Sequence, residues 1–441
     1  MNAWADLFQQ VNDEATPGWL KSRRIAAFAR FEHLGIPTPR DEDWKYTDLK
    51  RLNKRQFSMA QTEATVSHTD QAELLDLNAW RIVLVNGVFS PDLSDLSDLP
   101  NQVTIEPLSQ AITHDQELAG GLVGRLAAID TDSLTALSHA MAQEGALIRV
   151  GSGVVLPRPI QLVYLSTEHE SALASWPRIA VVAGPNSQMT IVEQLVGQHA
   201  SGHYTQRVAE LFLEGNAQLT HYLLQTPAEK DLWVGRVHVE QKRDSRYQAF
   251  HLNLGGALVR DDFVCELNAR GATASLNGLL FGQGRQHLDM HSKVNHNAPN
   301  TYSDENYKGI LNDRARGVFN GKVIVKRDSQ QIEAHQNNAN LLLSDQAEMD
   351  TKPELEIYAD DVKCSHGTTT GQLDENAVFA LRARGVDESV ARGLLTLAFA
   401  NQVLDQVTLD AVHDTVEARI AGALPERFNL KGLVLEDQEA Q

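Results

Sequence analysis

The chain has 441 residues, 42% of them hydrophobic, and a formal net charge of −19. That length predicts two or three domains with real cores, and the acidic balance argues against a nucleic-acid partner. No apolar run is long enough to cross a bilayer. The opening MNAWADLFQQVNDE lacks the basic and apolar regions of a secretory signal, and two distant cysteines, Cys265 and Cys364, predict a reducing, cytoplasmic compartment.

The first ~60 residues read as helical. Thr16 is placed to cap a helix that opens at Pro17, runs through Leu20, Ala27, Phe31 and Leu34, and stops at Gly35. In the segment that follows, Trp44 and Tyr46 are expected to anchor chain to core. WRIVLVNGVFS, from Trp80, predicts a strand and turn. Residues 91–130 carry little pattern, and PDLSDLSDLP reads as a biased loop.

From about Gly145 the texture changes. Short runs rich in Val, Ile and Leu alternate with Gly, Asn, Asp and Pro for roughly 200 residues, with no convincing helix. An irregular parallel β-helix accounts for this better than a sandwich or a propeller. Asn337, Asn338 and Asn340 are of the type that ladders between coils. After Gly371 the period is helical again. One helix carries Ala377, Val378 and Leu381 before Gly385, a second Val390, Leu394, Leu397, Ala398 and Leu404, and a third Leu409, Val412, Val416 and Ile420. The expected organisation is therefore a helical and mixed region 1–144, a β-helix core 145–370 and a helical region 371–441.

Two clusters could carry chemistry. In PELEIYADDVKCSHGTTTGQLDE, Cys364 and His366 stand two residues apart in a polar turn, a thiol and an imidazole suited to a soft metal or to sulfur. Leu355, Ile357 and Ala359 share one strand face and Val362 is out of phase, which predicts a bend or bulge at Asp360–Asp361 and puts Cys364 and His366 on the side of Val362. The plainer alternative is a small buried Cys and a hydrogen-bonded His closing the solenoid. In HLDMHSKVNH, alternation places His287, Asp289 and His291 on one face, either as metal ligands or as a polar, solvent-facing row, with Leu288 and Met290 in the core. No C-x-x-C, H-E-x-x-H or G-x-S-x-G occurs. GVFNGKV, from Gly317, is one residue short of a Walker A loop and ends in Val where Ser or Thr must meet magnesium, so no ATPase site of its own is expected.

The run from Gln286 to Glu375, QHLDMHSKVNHNAPNTYSDENYKGILNDRARGVFNGKVIVKRDSQQIEAHQNNANLLLSDQAEMDTKPELEIYADDVKCSHGTTTGQLDE, together with RDEDWKYTDL near the N-terminus, resembles the SufB/SufD family of iron–sulfur cluster assembly proteins. Gly367 stands where the SufB branch typically has an acidic residue, and the chain is poorer in cysteine than that branch, so the likeness is to the other branch. The resemblance implies a right-handed parallel β-helix between helical ends, and a non-catalytic scaffold subunit in complex with a SufB-type subunit and a SufC-type ABC ATPase. The C-terminal helices, with Val378, Leu381, Val390, Leu394 and Leu397, would dock on the ATPase, and the β-helices would pair near their C-terminal ends. His366, with Cys364 second, would be the ligand to iron or to a transient cluster at that seam. The resemblance implies no cofactor held tightly by the isolated chain and leaves a flavin in the complex open. It gives no role to His287, Asp289 and His291. Rival readings are a carbohydrate-active β-helix enzyme, a metalloenzyme using that trio, and a homodimer pairing its own Cys364 and His366 across a two-fold axis.

Overall fold

The apolar runs after Gly145 become strands because alternate residues can be buried inside a coil while the chain turns a corner between runs. A computed structural model describes residues 3–12, 14, 16–59, 66–114, 116–130, 132–197, 201–425 and 427–428. Its core is a parallel β-helix of two facing sheets. One sheet runs, in spatial order, β2 (Val88–Phe89), β1 (Trp80–Val85), β5 (Ile160–Ser166), β8 (Gln188–Gly197), β10 (Gln218–Thr226), β12 (Arg246–Asn253), β14 (Thr273–Gly282), β16 (Tyr302–Leu311), β18 (Ile332–Leu342) and β20 (Val362–Gly371). The other runs β3 (Val103–Pro107), β4 (Gly145–Val150), β7 (Arg178–Ala183), β9 (Tyr204–Leu213), β11 (Leu232–Gln241), β13 (Leu258–Leu267), β15 (His287–His296), β17 (Arg316–Val325) and β19 (Glu348–Ile357). The two-residue β6 (Ala174–Ser175) pairs with β9 off this path.

Parallel register stacks like on like. Ile148, Val181, Leu211, Val239, Cys265, Val294, Val323 and Leu355 form one inward column, one residue per coil. Each such buried aliphatic contributes about 1.5–3 kcal/mol. Cys265 is one rung of this column and behaves as a small hydrophobe. Burial raises its thiol well above the ordinary value. At one corner of six successive coils a residue takes the left-handed conformation: Asn186, Asn216, Asp244, Gly271, Asn300 and Gln331. Asn and Asp tolerate it better than other side chains, and Asn216 also reaches back one coil to Asn186 at 3.0 Å. Gly271 is required there, because a Cβ would meet Asp244 Oδ1 at 2.0 Å. Asn337 reaches back one coil to Asn306 at 3.2 Å as a ladder. Asn338 and Asn340 instead bond each other at 2.7 Å and reach backbone carbonyls of neighbouring coils.

The N-terminal region holds α1 (Ala3–Val11), α2 (Gly18–Leu34), α3 (Lys50–Asn53), α4 (His68–Ala72), α5 (Leu108–His114), α6 (Gln116–Leu122) and α7 (Ser133–Met141). Strand β3 and helices α5 and α6 occupy the stretch whose sequence carried no pattern. The cap at the start of α2 is not Thr16. Pro17 precedes the helix without a side-chain bond, and the Thr16 hydroxyl donates back to the Val11 carbonyl. The hairpin β1–β2 turns through Asn86 and Gly87, both at positive φ, as its sequence predicts.

Helices α8 (Glu375–Arg382), α9 (Glu388–Leu404) and α10 (Asp410–Ala423) follow the solenoid, with Asp374 and Asp387 as caps. They cover the outer face of the first sheet, where Tyr222, Phe250, Leu279, Phe281 and Ile310 join Ala400, Val403, Leu404, Val412, Val416 and Ile420 in a second core. The buried stripe of α9 runs through Ala391, Gly393, Thr396 and Ala400, and Ala398 is exposed. Small residues win that face because the helix lies close against the sheet. The end of the expected 371–441 region beyond residue 428 lies outside the described residues.

Candidate functional site

The two ends of the solenoid are finished differently. At its start, short β2 and β3 run antiparallel to their neighbours and close the sheets. At its end, β19 and β20 are the last strands of their sheets, and among the described residues no further strand lies beyond either. Their side chains are half-buried in β19 and mostly exposed in β20. Unpaired edge strands offer free backbone donors and acceptors and are natural pairing surfaces.

Cys364 and His366 lie on this last coil, on strand β20 rather than in a turn. The chain does not bulge at Asp360–Asp361. It leaves one sheet at Ile357 and enters the other at Val362, so Leu355 and Val362 belong to opposite walls. Ala359, buried at the corner, packs with Leu355, Val362 and Cys364 over Val323, Ile332 and Ala334. The expected alternation holds: Val362, Cys364 and His366 share the inward face, stacked over Ile332, Ala334 and Gln336. Cys364 is half-buried, and burial raises its thiol above the ordinary value, so it is protonated at neutral pH until a cation draws off the proton. His366 is exposed. Ser365, between them, points outward and pairs with His335 Nδ1 at 2.8 Å, whose Nε2 lies 3.1 Å from Glu333 Oε1. Thr351 of β19 and Thr368 of β20 pair hydroxyl to hydroxyl at 3.0 Å.

Below the mouth the wall turns polar. The column that ends in His366 runs Ile160, Ile191, His221, Ala249, Leu276, Glu305, Gln336 and His366. Glu305 and Gln336 are 1% and 3% exposed. Ser292 donates to the Glu305 carboxyl. Sequence reading missed both residues, because their place is visible only once the coil length, about 29 residues, is known.

Burial lifts the Glu305 carboxyl from 4.5 to about 7, against the pull of the Ser292 hydroxyl and the neighbouring Gln336 amide. The folded chain therefore holds a proton that the unfolded chain gives up above its lower pKa. That contribution is complete below about 4.5 and is lost as pH rises through about 7. Glu305→Gln should gain stability relative to the parent between those limits. Urea midpoints of both proteins at about pH 5 and 8 measure it, and a constant difference would refute it. Buried histidines such as His296, pushed down to about 4, act in the opposite sense but equally in both proteins.

His287, Asp289 and His291 do not form a solvent-facing row. Leu288 and Met290 are core, as expected, but the polar face of β15 is roofed by the 3-10 turn Glu42–Trp44 and the residues after it. Arg260 supplies the countercharge to Asp289, the carboxylate of the trio. Its guanidinium lies 3.0 Å from Asp289, 2.9 Å from Asp262 and 3.8 Å from the centre of the Trp44 ring, and it donates to the Asp43 carbonyl at 2.7 Å. Thr47 pairs with His287 at 2.7 Å and with Asp289. Trp44 is thus an anchor, as its sequence suggested. Among the described residues no group of three or more His, Cys, Asp or Glu has a metal-holding arrangement. Cys364 and His366 supply two donors, so a complete ligand set needs a partner.

Of the apolar residues on the C-terminal helices, Val378 is buried, and Val390, Leu394 and Leu397 pack against the chain's own second core. Leu381 is half-buried. Phe379, 69% exposed on α8, is the aromatic these helices leave to solvent.

The family model for the SUF system FeS cluster assembly SufBD core domain matches residues 164–399, and that for the SufBD protein N-terminal region matches residues 1–162. The chain is 32% identical over 402 residues to an iron–sulfur cluster assembly SufBD family protein of Synechocystis, covering 88% of each. It is 29% identical to the iron–sulfur cluster assembly protein SufD of Escherichia coli, covering 96% of this chain and 97% of that one. With SufD of Bacillus subtilis it shares 24% identity over 90% and 92%.

Proposed function

The chain belongs to the SufBD family of iron–sulfur cluster assembly proteins and is SufD-like, and on that premise we propose that it pairs with a SufB-type subunit through the open end of its solenoid and helps iron enter a nascent cluster at the seam. One observation carries this reading: the last coil is uncapped and presents a thiol and an imidazole on the same inward face between two unpaired edges. A partner's edge strands would extend both sheets, and its donors would complete the ligand set. Cys364 and His366 are borderline-to-soft donors suited to iron and sulfide. The cargo is substrate, held in passage. The helices beyond, with Phe379 outward, suit docking of a SufC-type ATPase, whose nucleotide cycle would move the seam. The subunit needs no turnover of its own and would work in the cytoplasm. Without its partner, the same edges would pair two copies.

Co-expression with SufB-type and SufC-type partners, and anaerobic purification through a tag on this chain, tests the reading. His366→Ala should leave subunit stoichiometry unchanged and remove most of the iron and sulfide. An intact assembly with an unchanged cluster would reduce the chain to a structural partner. Failure to co-purify at all would end the scaffold reading.

A further inference from the structure

The rungs beneath His366 have a feature that packing does not explain. In the coil below it, the Gln336 side chain is buried, yet neither its amide oxygen nor its amide nitrogen completes a hydrogen bond. One coil further down, Glu305 is buried in the same column, and its Oε1 is likewise without a partner. Leaving such groups unpaired is costly. An apolar side chain at either rung would avoid that cost, as Leu276 and Ala249 do lower in the column. The chain also keeps space for the amide. Opposite it stands Gly321, where a Cβ would lie 2.1 Å from Gln336 Nε2.

We propose that Gln336, backed by Glu305, is a positioning residue for His366: its amide oxygen accepts the ring N–H of the imidazole, so that the other ring nitrogen faces the mouth as a neutral ligand. The amide nitrogen then turns toward the Glu305 carboxyl, whose far side is held by Ser292. Histidines that bind metal are generally oriented by such a partner on the second nitrogen, and losing it weakens binding about 10–100-fold. The column would be ordered in full only when His366 turns inward, which cargo or the partner subunit would bring about. This inference rests on His366 being a cargo ligand.

Cobalt(II), titrated anaerobically into the full-length chain and followed by its ligand-field and thiolate absorption, is the probe. Gln336→Met keeps the volume and removes the acceptor. It should weaken cobalt binding about 10–100-fold, with size unchanged and a melting temperature no lower than the parent's. Gln336→Glu, which keeps an acceptor under the ring, should restore most of the affinity. Should either variant fold poorly, Glu305→Gln tests the same column and should lower affinity by a smaller factor. Binding unchanged in Gln336→Met but lost in His366→Ala would overturn the positioning role alone. A parent chain that binds no cobalt, or a His366→Ala variant that binds as well as the parent, would overturn the reading of the site itself.

Discussion

Arg207→Ala should destabilise the chain by about 3–5 kcal/mol, among the largest effects available to one side chain. Arg207 crosses the solenoid interior from β9 to Glu193 on β8 with two bonds of 3.0 and 2.7 Å. His221 approaches the same carboxylate at 2.8 Å, and Tyr164 donates to it at 2.5 Å. Arg207, Glu193 and His221 are at most 1% exposed. Burial alone would raise the Glu193 carboxyl, but Arg207, His221 and Tyr164 outweigh it and hold it down at about 2. Without the guanidinium, the carboxylate has no full countercharge inside an apolar coil. Arg207→Met combined with Glu193→Leu removes both charges and should recover most of the loss, because a buried pair returns little beyond its own desolvation. Urea unfolding followed by circular dichroism measures both. Equal losses in the single and double variants would show that shape, not charge, matters at this site.

The second large effect is expected at Arg260. Arg260→Met should cost about 3–5 kcal/mol by the same logic, but here the damage should be local. Asp289 and Asp262 lose the cation between them, and Trp44 loses its stacking partner. The segment around Glu42–Trp44 should lift from β13 and β15 and become cleavable by protease while the solenoid stays folded. Acid should do the same to the parent. Burial would raise Asp262 and Asp289, but for Asp262 Arg260 and Arg236 prevail and hold it at about 2, and for Asp289 His291 and Arg260 hold it well below the ordinary range. Their contribution is present above the unfolded value of 3.8 and is lost as pH falls through the lowered ones. Limited proteolysis of parent and variant at neutral pH, and of the parent in acid, reads this directly. A resistant N-terminal segment in Arg260→Met would show that apolar contacts such as those of Leu49 and Leu52 suffice to hold it.

The solenoid was legible because its signal is local: runs of alternating burial, each ended by a turn residue. So was the shared face of Cys364 and His366, which depends on nothing beyond strand alternation. What escaped depends on contacts between distant residues. Nothing near His287, Asp289 and His291 reveals that Thr47 and Trp44 cover them. Nothing near Val362 tells a bulge in one strand from a corner between two sheets, since both shift the alternation by one. The polar rungs Glu305 and Gln336 are separated in sequence from His366 and from each other by a whole coil. The helices of the stretch after β3 are short, and their packing rather than their pattern sustains them.

The unlike ends of the solenoid also set how far assembly can go. A coil stack open at both ends would add subunits head to tail without limit, as fibres do. Here the starting end finishes in reversed strands, β2 of two residues and β3 of five, whereas among the described residues the C-terminal end keeps two ten-residue edges unpaired. Joining two such open ends consumes both, and the product has no edge left to recruit a third molecule. Under the proposed pairing, such a fold would count to two and keep a sticky surface from becoming a polymer.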